Sequence, residues 1–314
     1  MTVRILEGDC RAVLPTLPDA SVHCCVTSPP YFGLRDYGVD GQMGLEASPD
    51  EFIAGMVEVF REVRRVLRDN GTPWLNIGDS YASSGGAGWQ GKNGQRADRW
   101  FTAQRDSVAL RAAGRRPPDD VKPKDLLGIP WLLAFALRAD GWYLRQDIIW
   151  SKPNPMPESV TDRCTKAHEY LFLLSKSPRY YFDQDSILEP ASPKTHARLA
   201  QDVEAQIGSA RANGGAKRNK RSVWTVATQP FKEAHFATFP PALVEPCIKA
   251  GCPQGGVVID PFFGAGTTGL VADRLQRDCI GIELNPKYIP MQRKRIDGAA
   301  GLLRMIGHGI EEVA

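Results

Sequence analysis

One stretch near the end of the chain narrows the fold more than any other. Residues 257–283 read VVIDPFFGAGTTGLVADRLQRDCIGIE, which predicts a buried strand, a glycine turn, a helix and a second strand. Strands that alternate with helices are typical of the α/β class. Gly264 and Gly266 let the chain turn tightly and leave bare backbone for a ligand to approach. The chain is therefore expected to be an α/β protein with a ligand site at this turn.

The rest of the chain continues the same alternation. The clearest helix covers residues 48–71, because Ser48 is a good cap, Glu51 follows three residues later and Gly71 provides a stop. A second helix is predicted over 128–141, and strands are predicted in VRILEGD, VHCCVTS, TPWLNIGDSY, WYLRQDIIWSK and HEYLFLLSKS. These segments favour one large α/β domain.

Composition limits the class of protein. The 314 residues are 42% hydrophobic and 24% charged, with a net charge of +3, which is ordinary for a globular protein. No apolar run approaches the roughly 20 residues that a membrane span needs, and the first ten residues have no secretory pattern. The seven cysteines are irregularly spaced, which favours reduced thiols over disulfides or a metal site. The protein is therefore expected to be cytoplasmic, to contact no membrane and to bind no metal.

A second short stretch carries chemistry at the end of a predicted strand. The apolar run VHCCV leads into Thr27, Ser28, Pro29, Pro30 and Tyr31. Two successive prolines fix the backbone and remove two amide donors. The stretch therefore presents a hydroxyl, a rigidly held carbonyl and an aromatic ring at the point where the strand stops.

The glycine turn formally matches the dinucleotide pattern G-x-G-x-x-G through Gly269. That third glycine falls inside the predicted helix, however, and the bulky Phe262 and Phe263 precede the turn, where a pyrophosphate cradle prefers small residues. Glu283 ends the next strand, at about the place where nucleotide-binding sheets keep an acid for the ribose hydroxyls. A ligand with an adenosine and an amino acid fits these residues better than a dinucleotide does.

Together these stretches resemble the amino-methylating DNA methyltransferases. TSPPY (27–31) resembles their catalytic motif and DPFFGAGTT (260–268) resembles their cofactor motif. The catalytic motif comes first here, which is similar to the order in the β group, a circular permutation of the usual one. The likeness extends through EGD, WLNIGDSY, IIWSKPNPMP, HEYLFLLSKS, HFATFP and GIELNPKYI, and spans residues 4–295 apart from two irregular insertions.

The resemblance implies a fold and a cofactor. The fold is an α/β seven-stranded sheet, mostly parallel, with helices on both faces, forming a single catalytic domain over residues 1–314. The cofactor is S-adenosylmethionine, and the matching positions assign Glu283 to its ribose. The residues that the resemblance places around the cofactor are Asp9, Thr238, Phe239, Pro240, Asp260, Phe262, Gly264, Gly266, Thr267 and Glu283.

The resemblance also implies a reaction on a base flipped out of duplex DNA. Ser28 and the Pro29 carbonyl would each accept one N–H of an exocyclic amine, Pro30 would help to fix that carbonyl, and Tyr31 would stack on the ring. A serine in this motif is commoner among cytosine-N4 enzymes than among adenine-N6 enzymes. Cytosine N4 is therefore favoured, and adenine N6 remains open because both amines offer two hydrogens.

The two irregular insertions fit a DNA substrate. Residues 83–122 predict a flexible loop close to DNA, and residues 186–222 are a candidate target-recognition segment. The basic run in the second insertion would contact phosphates; it comprises Arg211, Lys217, Arg218, Lys220 and Arg221. Expected partners are double-stranded DNA, a second copy of the chain and a cognate restriction endonuclease, in a bacterial or phage-encoded modification system.

Three rival interpretations remain from the residues. A nicotinamide-dependent oxidoreductase would use the glycine turn but leaves TSPPY unexplained. A DNA-binding module without catalysis would carry a degenerate cofactor site. A cytosine-C5 methyltransferase needs a cysteine after a proline, and Pro246–Cys247 has that dipeptide in a predicted helix.

Overall fold

A computed structural model describes residues 1–82, 121–122, 124–191, 217–229, 239–300 and 310–313. Most of the first insertion and residues 192–216 of the second lie outside these ranges, so the loop interpretation of 83–122 stays a prediction. In the described part of the chain, no helix is both long and apolar enough to cross a membrane.

A single large sheet organises the described residues. Its strand order is β11-β1-β10-β9-β2-β3-β5-β4-β8. The strands are β1 Val3–Glu7, β2 Val22–Thr27, β3 Leu67–Ile77, β4 Tyr143–Ser151, β5 His168–Ser175, β8 Val223–Thr225, β9 Val257–Asp260, β10 Asp278–Glu283 and β11 Ile310–Val313. Two short strands, β6 Glu189–Pro190 and β7 Lys217–Arg218, form a separate antiparallel pair.

The sheet is mostly parallel, as expected for the α/β class. Of the sheet strands in the described residues, β5 alone runs antiparallel to its neighbours, β3 and β4. The seven strands from β1 to β4 in the sheet order correspond to the expected seven-stranded core. The short strands β11 and β8 extend the two edges, so the observed sheet has nine strands in the described residues.

Helices cover both faces of this sheet. The helices are α1 Cys10–Val13, α2 Pro49–Val66, α3 Ile129–Ala139, α4 Pro241–Gly251, α5 Thr267–Arg274 and α6 Ile289–Ala300. The first three pack on one face and the last three on the other. Alternation along β2 divides adjacent cysteines between the faces: Cys25 lies on the face covered by α1–α3, whereas Cys24 lies on the face covered by α4–α6.

The long helix α2 ends earlier than its sequence suggests. Ser48 caps it by accepting the Glu51 amide at 3.2 Å, as expected. The helix then stops at Val66, because Leu67 turns to extended backbone and pairs with Val22 of β2. The prediction that Gly71 stops the helix is therefore wrong, since Gly71 lies inside β3.

The sheet order reverses its direction between β2 and β9. From β2 the chain moves on to β3 on one side, and from β9 it moves on to β10 on the other. In open α/β sheets, ligands bind in the crevice beyond the carboxyl ends of the strands at such a switch point. TSPPY and the glycine turn follow these two neighbouring parallel strands directly.

Candidate active site

A buried carboxylate joins the two motifs. Asp260, the last residue of β9, accepts the Thr27 hydroxyl at 2.6 Å and the Thr268 hydroxyl at 2.7 Å. It also accepts the backbone amide of Phe262 at 3.1 Å. The end of β2 is thereby tied to the start of α5, although Thr27 and Asp260 are 233 residues apart.

Asp260 itself does not reach the crevice. It is fully buried, and burial raises the pKa of its carboxyl to about 6. Both of its oxygens already accept hydrogen bonds from the chain, so Asp260 supports the turn in this structure, and its contact with the cofactor stays a prediction. Its position fits a residue that holds the two motif loops together.

The Ser28 hydroxyl has a defined orientation. It donates to Asn76 Oδ1 at 3.2 Å. Asn76 is held in turn, because its amide nitrogen donates to the Tyr170 carbonyl at 3.1 Å. With its proton directed toward Asn76, the Ser28 oxygen keeps its lone pairs for an incoming N–H.

Tyr31 is held at both its hydroxyl and its ring. The hydroxyl donates to Glu169 Oε2 at 2.5 Å and lies 3.2 Å from Asn76 Oδ1. The ring covers Gly78 so closely that a Cβ there would lie 2.5 Å from a ring carbon. Burial, with the nearby Glu169 carboxylate, raises the pKa of Tyr31 well above its usual value. The phenol therefore stays protonated and keeps its donor.

Glu169 links the Tyr31 hydroxyl to a buried cation. Its other oxygen forms an ion pair with Lys152, and both side chains are largely buried. The Lys152 ammonium also lies 4.5 Å from the centre of the Trp150 ring. Asn76, Glu169 and Lys152 received no role from the sequence, although each lies within a stretch that carried the family resemblance.

The glycine turn follows the expected path. Gly264 and Gly266 have φ values of 52° and 72°, a region that favours glycine. The Phe263 ring turns away from the crevice and into the core, where a Cβ on Gly281 would lie 2.4 Å from it and one on Gly269 would lie 2.6 Å away. The bulky residue before the turn therefore leaves the ligand side of the turn open.

Glu283 closes the other side of this turn. Its oxygens accept the Asn285 amide at 2.8 Å and the Gln292 side-chain amide at 2.7 Å. Burial raises the pKa of the Glu283 carboxyl to about 7. Gln292 also donates to the Gly264 carbonyl at 2.6 Å, so it joins the turn to the acid. Gln292 was not singled out from the sequence, because it lies on α6, outside both motifs.

Gln292 leaves one buried atom unsatisfied. Its Oε1 has no hydrogen-bond donor among the described residues. A buried acceptor without a donor beside a bare glycine turn suits a ligand that carries hydroxyl or ammonium groups. The residues at this turn therefore fit a nucleoside with an amino-acid tail.

The remaining predicted cofactor residues flank the turn. Asp9 caps α1 and is engaged by Arg11; burial opposes ionisation there, but those bonds hold the pKa of its carboxyl below the usual value. Phe262 is partly buried, and Thr267 is buried at the start of α5. Phe239 packs on the α4 face and Pro240 precedes α4, whereas Thr238 lies outside the described residues.

The basic run lies around the β6–β7 pair. Arg218 and Arg221 both form ion pairs with Glu189, at 3.0 and 2.8 Å. Lys220 lies over the Trp224 ring, Lys217 is exposed on β7, and Arg211 falls outside the described residues. Two of the five predicted phosphate-binding cations are thus already paired with an acid.

Cys247 is unsuited to nucleophilic attack. It lies buried in α4, donates to the Leu243 carbonyl at 3.2 Å and has its pKa raised well above the usual value by burial. A buried, protonated thiol is a poor nucleophile. This geometry excludes Cys247 as the nucleophile of a cytosine-C5 methyltransferase.

Comparisons with known proteins agree with this geometry. A family model described as DNA methylase matches residues 22–294. The type II methyltransferase M.SmaI of Serratia marcescens is 49% identical over 93% of this chain and 90% of its own length. M.Cfr9I of Citrobacter freundii is 47% identical over 94% of this chain and 87% of its own length.

Two solved structures share the fold. The putative DNA modification methylase TTHA0409 of Thermus thermophilus, complexed with S-adenosyl-L-methionine, superposes with a TM-score of 0.60 at 23% identity, over 99% of this chain and 100% of the other. The cytosine-N4-specific PvuII DNA methyltransferase gives a TM-score of 0.62 at 17% identity, over 98% and 95%. At these identities the likeness shows the fold.

Proposed function

We propose that this chain methylates cytosine N4 in duplex DNA. The premise is that it belongs to the DNA methylase family of N6 and N4 amino-methyltransferases. The family membership makes the chain an S-adenosylmethionine-dependent DNA methyltransferase, and this excludes the oxidoreductase and the non-catalytic module. The observation that carries the mechanism is the Ser28 hydroxyl, whose proton points to Asn76 and whose oxygen remains an acceptor beside the crevice.

S-adenosylmethionine supplies an electrophilic methyl group when it is bound. We assign its site to the glycine turn, where Glu283 would accept from the ribose hydroxyls and the backbone around Gly264 and Gly266 would admit the ligand. Thr267, Phe262, Asp9, Phe239 and Pro240 would line its edges. Gln292 would act as a positioning residue, since it sets the turn against the acid.

The target amine is a weak nucleophile because its lone pair is delocalised into the ring. The Ser28 oxygen and the Pro29 carbonyl would each accept one N–H, drawing the nitrogen toward tetrahedral geometry and stabilising its growing positive charge. Pro30 keeps the Pro29 carbonyl in place. The amine proton then leaves to water.

The base must leave the duplex to reach these acceptors. Tyr31 would stack on it, and base–aromatic stacking is worth about 1–3 kcal/mol. Glu169 would act as a positioning residue, because its bond to the Tyr31 hydroxyl and the ring contact with Gly78 together fix the plane of the ring.

The role of Glu169 makes a testable prediction. Glu169→Gln and Tyr31→Phe should each slow single-turnover methyl transfer about tenfold, equivalent to 1.4 kcal/mol. Tyr31→Phe removes the hydrogen bond that sets the ring, and Glu169→Gln replaces its charged acceptor with a weaker neutral one. The double variant should be no slower than the slower single variant, since both changes act on this same hydrogen bond. Glu245→Gln, which alters an exposed pair with Lys249 on α4, is the matched control and should not change the rate. If the rate losses of the two single variants multiply in the double variant, Glu169 does not act by positioning Tyr31.

Cofactor affinity should depend on pH through Glu283. With a pKa of about 7 in the free protein, its carboxyl is mostly protonated at pH 6, and that proton must leave before the carboxylate accepts the ribose hydroxyls. By linkage, the affinity for S-adenosylhomocysteine should then rise about tenfold from pH 6 to pH 8. Calorimetry at both pH values checks this. Glu283→Gln should bind more weakly and show a flatter profile, and an unchanged profile in that variant would refute the assignment.

The choice of cytosine over adenine rests on Ser28. The PvuII enzyme, described as cytosine-N4-specific, shares the fold at 17% identity, and its base preference does not transfer by that likeness. Expression in a methylation-free host, followed by sequencing with modification-sensitive reads, would give the site, the base and the nitrogen together. N4-methylcytosine at one recurring sequence supports the proposal, and N6-methyladenine favours the alternative.

Duplex DNA is the substrate of this family, and the finer partners are part of the proposal. The β6–β7 pair lies within the candidate target-recognition segment 186–222, and Lys217 and Lys220 there would contact phosphates. The relatives' type II designation supports a cognate restriction endonuclease and a cytoplasmic site of action. We also propose that the protein forms a homodimer, and sedimentation of the purified protein tests this.

A further inference from the structure

A proline-rich arm leaves the sheet beside the active site. It consists of residues 152–157, Lys-Pro-Asn-Pro-Met-Pro, and follows β4 directly. Since β4 and β2 run in the same direction, the arm starts at the edge of the sheet where Ser28 follows β2. Lys152, at the base of the arm, is paired with Glu169, which accepts the Tyr31 hydroxyl.

The base of the arm is firmly attached. The Lys152 amide donates to the Ala167 carbonyl at 2.8 Å. Asn154 exchanges two hydrogen bonds with the backbone of Thr228, accepting its amide at 2.9 Å and donating to its carbonyl at 3.3 Å. Prolines at 153, 155 and 157 restrict the backbone between these points. The arm is therefore held in one conformation with little freedom to fold back.

The chain beyond the arm is anchored as well. Glu158 and Arg163 form an ion pair across the loop, and the Arg163 guanidinium lies 3.9 Å from the centre of the Tyr81 ring. Asp162 pairs with Lys124 at 2.8 Å. Connections of this length are usually functional when they are ordered.

The tip of this anchored arm presents an apolar side chain to solvent. Met156 is 78% exposed, the largest exposure among the large apolar residues of the described chain. Met156 is four residues beyond Lys152, and four extended residues span at most about 14 Å. That reach is similar to the width of the major groove of DNA. An exposed methionine is common on surfaces, but this one is held at both ends beside the proposed base-binding site.

We propose that the arm inserts Met156 into the DNA base stack, where it fills the space vacated by the flipped target base. Proteins that distort DNA insert apolar wedges, methionine among them, between base steps. An unbranched thioether adapts to an irregular gap. By occupying the space, Met156 opposes the return of the base and raises the flipped fraction. The inference rests on the proposed function, because it requires base flipping.

The test uses single-turnover methyl transfer with the full-length protein in saturating excess over DNA, so that docking affinity does not enter. One duplex carries the recognition site with its target base paired; the other differs only by a mismatched base opposite the target. A mismatched base is already easy to extrude. Met156→Ala should slow transfer about tenfold on the matched duplex, equivalent to 1.4 kcal/mol, and less than about twofold on the mismatched one.

Two further variants make the result specific. Met156→Leu keeps an apolar wedge and should retain most of the wild-type rate on the matched duplex. Leu132→Ala removes an exposed apolar side chain from α3 and should change neither rate. An unchanged rate for Met156→Ala on the matched duplex, or an equal loss on both duplexes, would overturn the wedge. A wild type that methylates neither duplex would overturn the proposed function and the wedge with it.

Discussion

Gly266→Val is expected to abolish cofactor binding while leaving the protein folded. Gly266 has a φ of 72°, which a β-branched residue rarely adopts. A Cβ there would lie 3.4 Å from Gln292, the side chain that joins the turn to Glu283. The substitution therefore strains the turn, displaces the Gln292 side chain and fills the space beside the bare backbone. Affinity for S-adenosylhomocysteine should fall at least about 100-fold, equivalent to 2.7 kcal/mol, as measured by calorimetry.

The chain provides a matched control for this experiment. Gly255 also has a φ of 72°, and a Cβ added there would meet no atom within 4 Å. It precedes β9, at the opposite end of that strand from the glycine turn. Gly255→Val should carry a similar strain, of about 1–3 kcal/mol in thermal unfolding, and retain cofactor affinity. Equal loss of affinity in both variants would mean that strain alone, and not the cradle, explains the effect.

Ser28→Ala is expected to lower turnover about 100-fold and leave cofactor affinity near that of the wild type. The change removes one of two acceptors for the target amine, and groups that stabilise developing charge contribute about this much. The Ser28 hydroxyl contacts Asn76 and makes no bond to the glycine turn. Single-turnover transfer and calorimetry with S-adenosylhomocysteine separate the two effects.

A neighbouring serine controls for the loss of a hydroxyl. Ser80 is also partly buried and donates to the Phe32 carbonyl at 3.1 Å, in the loop that follows TSPPY. Ser80→Ala should reduce stability slightly and change turnover by less than about threefold, a cost below 1 kcal/mol. A large loss of cofactor binding in Ser28→Ala would contradict the assignment of Ser28 to the base side of the crevice.

The local sequence was enough to identify the motifs, but it was not enough to identify the residues that hold them in place. The alternation of strands and helices, the Ser48 cap and the strands that lead into TSPPY and the glycine turn are set by neighbouring residues, and all were predicted. Gly71 was misread because glycine both ends helices and fits within strands. Only the pairing of Leu67 with Val22, which lies far earlier in the chain, decides between these outcomes.

The same limit applies within the site. The sequence could not show that Asp260 joins the two motifs, because its bond to Thr27 spans 233 residues. Glu169 could not be linked to Tyr31 from sequence, since their bond spans 138 residues. Gln292 lies outside both motifs, and only the packing of α6 against the turn places it there. Roles that depend on such long-range contacts emerge only from the folded chain.

The identity of the methylated nucleoside tests amino methylation of cytosine at the Ser28 site most directly. Purified protein should be incubated with labelled S-adenosylmethionine and duplex DNA that carries its site, and the DNA then digested to nucleosides for mass spectrometry. The label should appear in N4-methyldeoxycytidine and should be reduced about 100-fold by Ser28→Ala. Label in N6-methyldeoxyadenosine would contradict the assigned base, and label in 5-methyldeoxycytidine would contradict the chemistry itself.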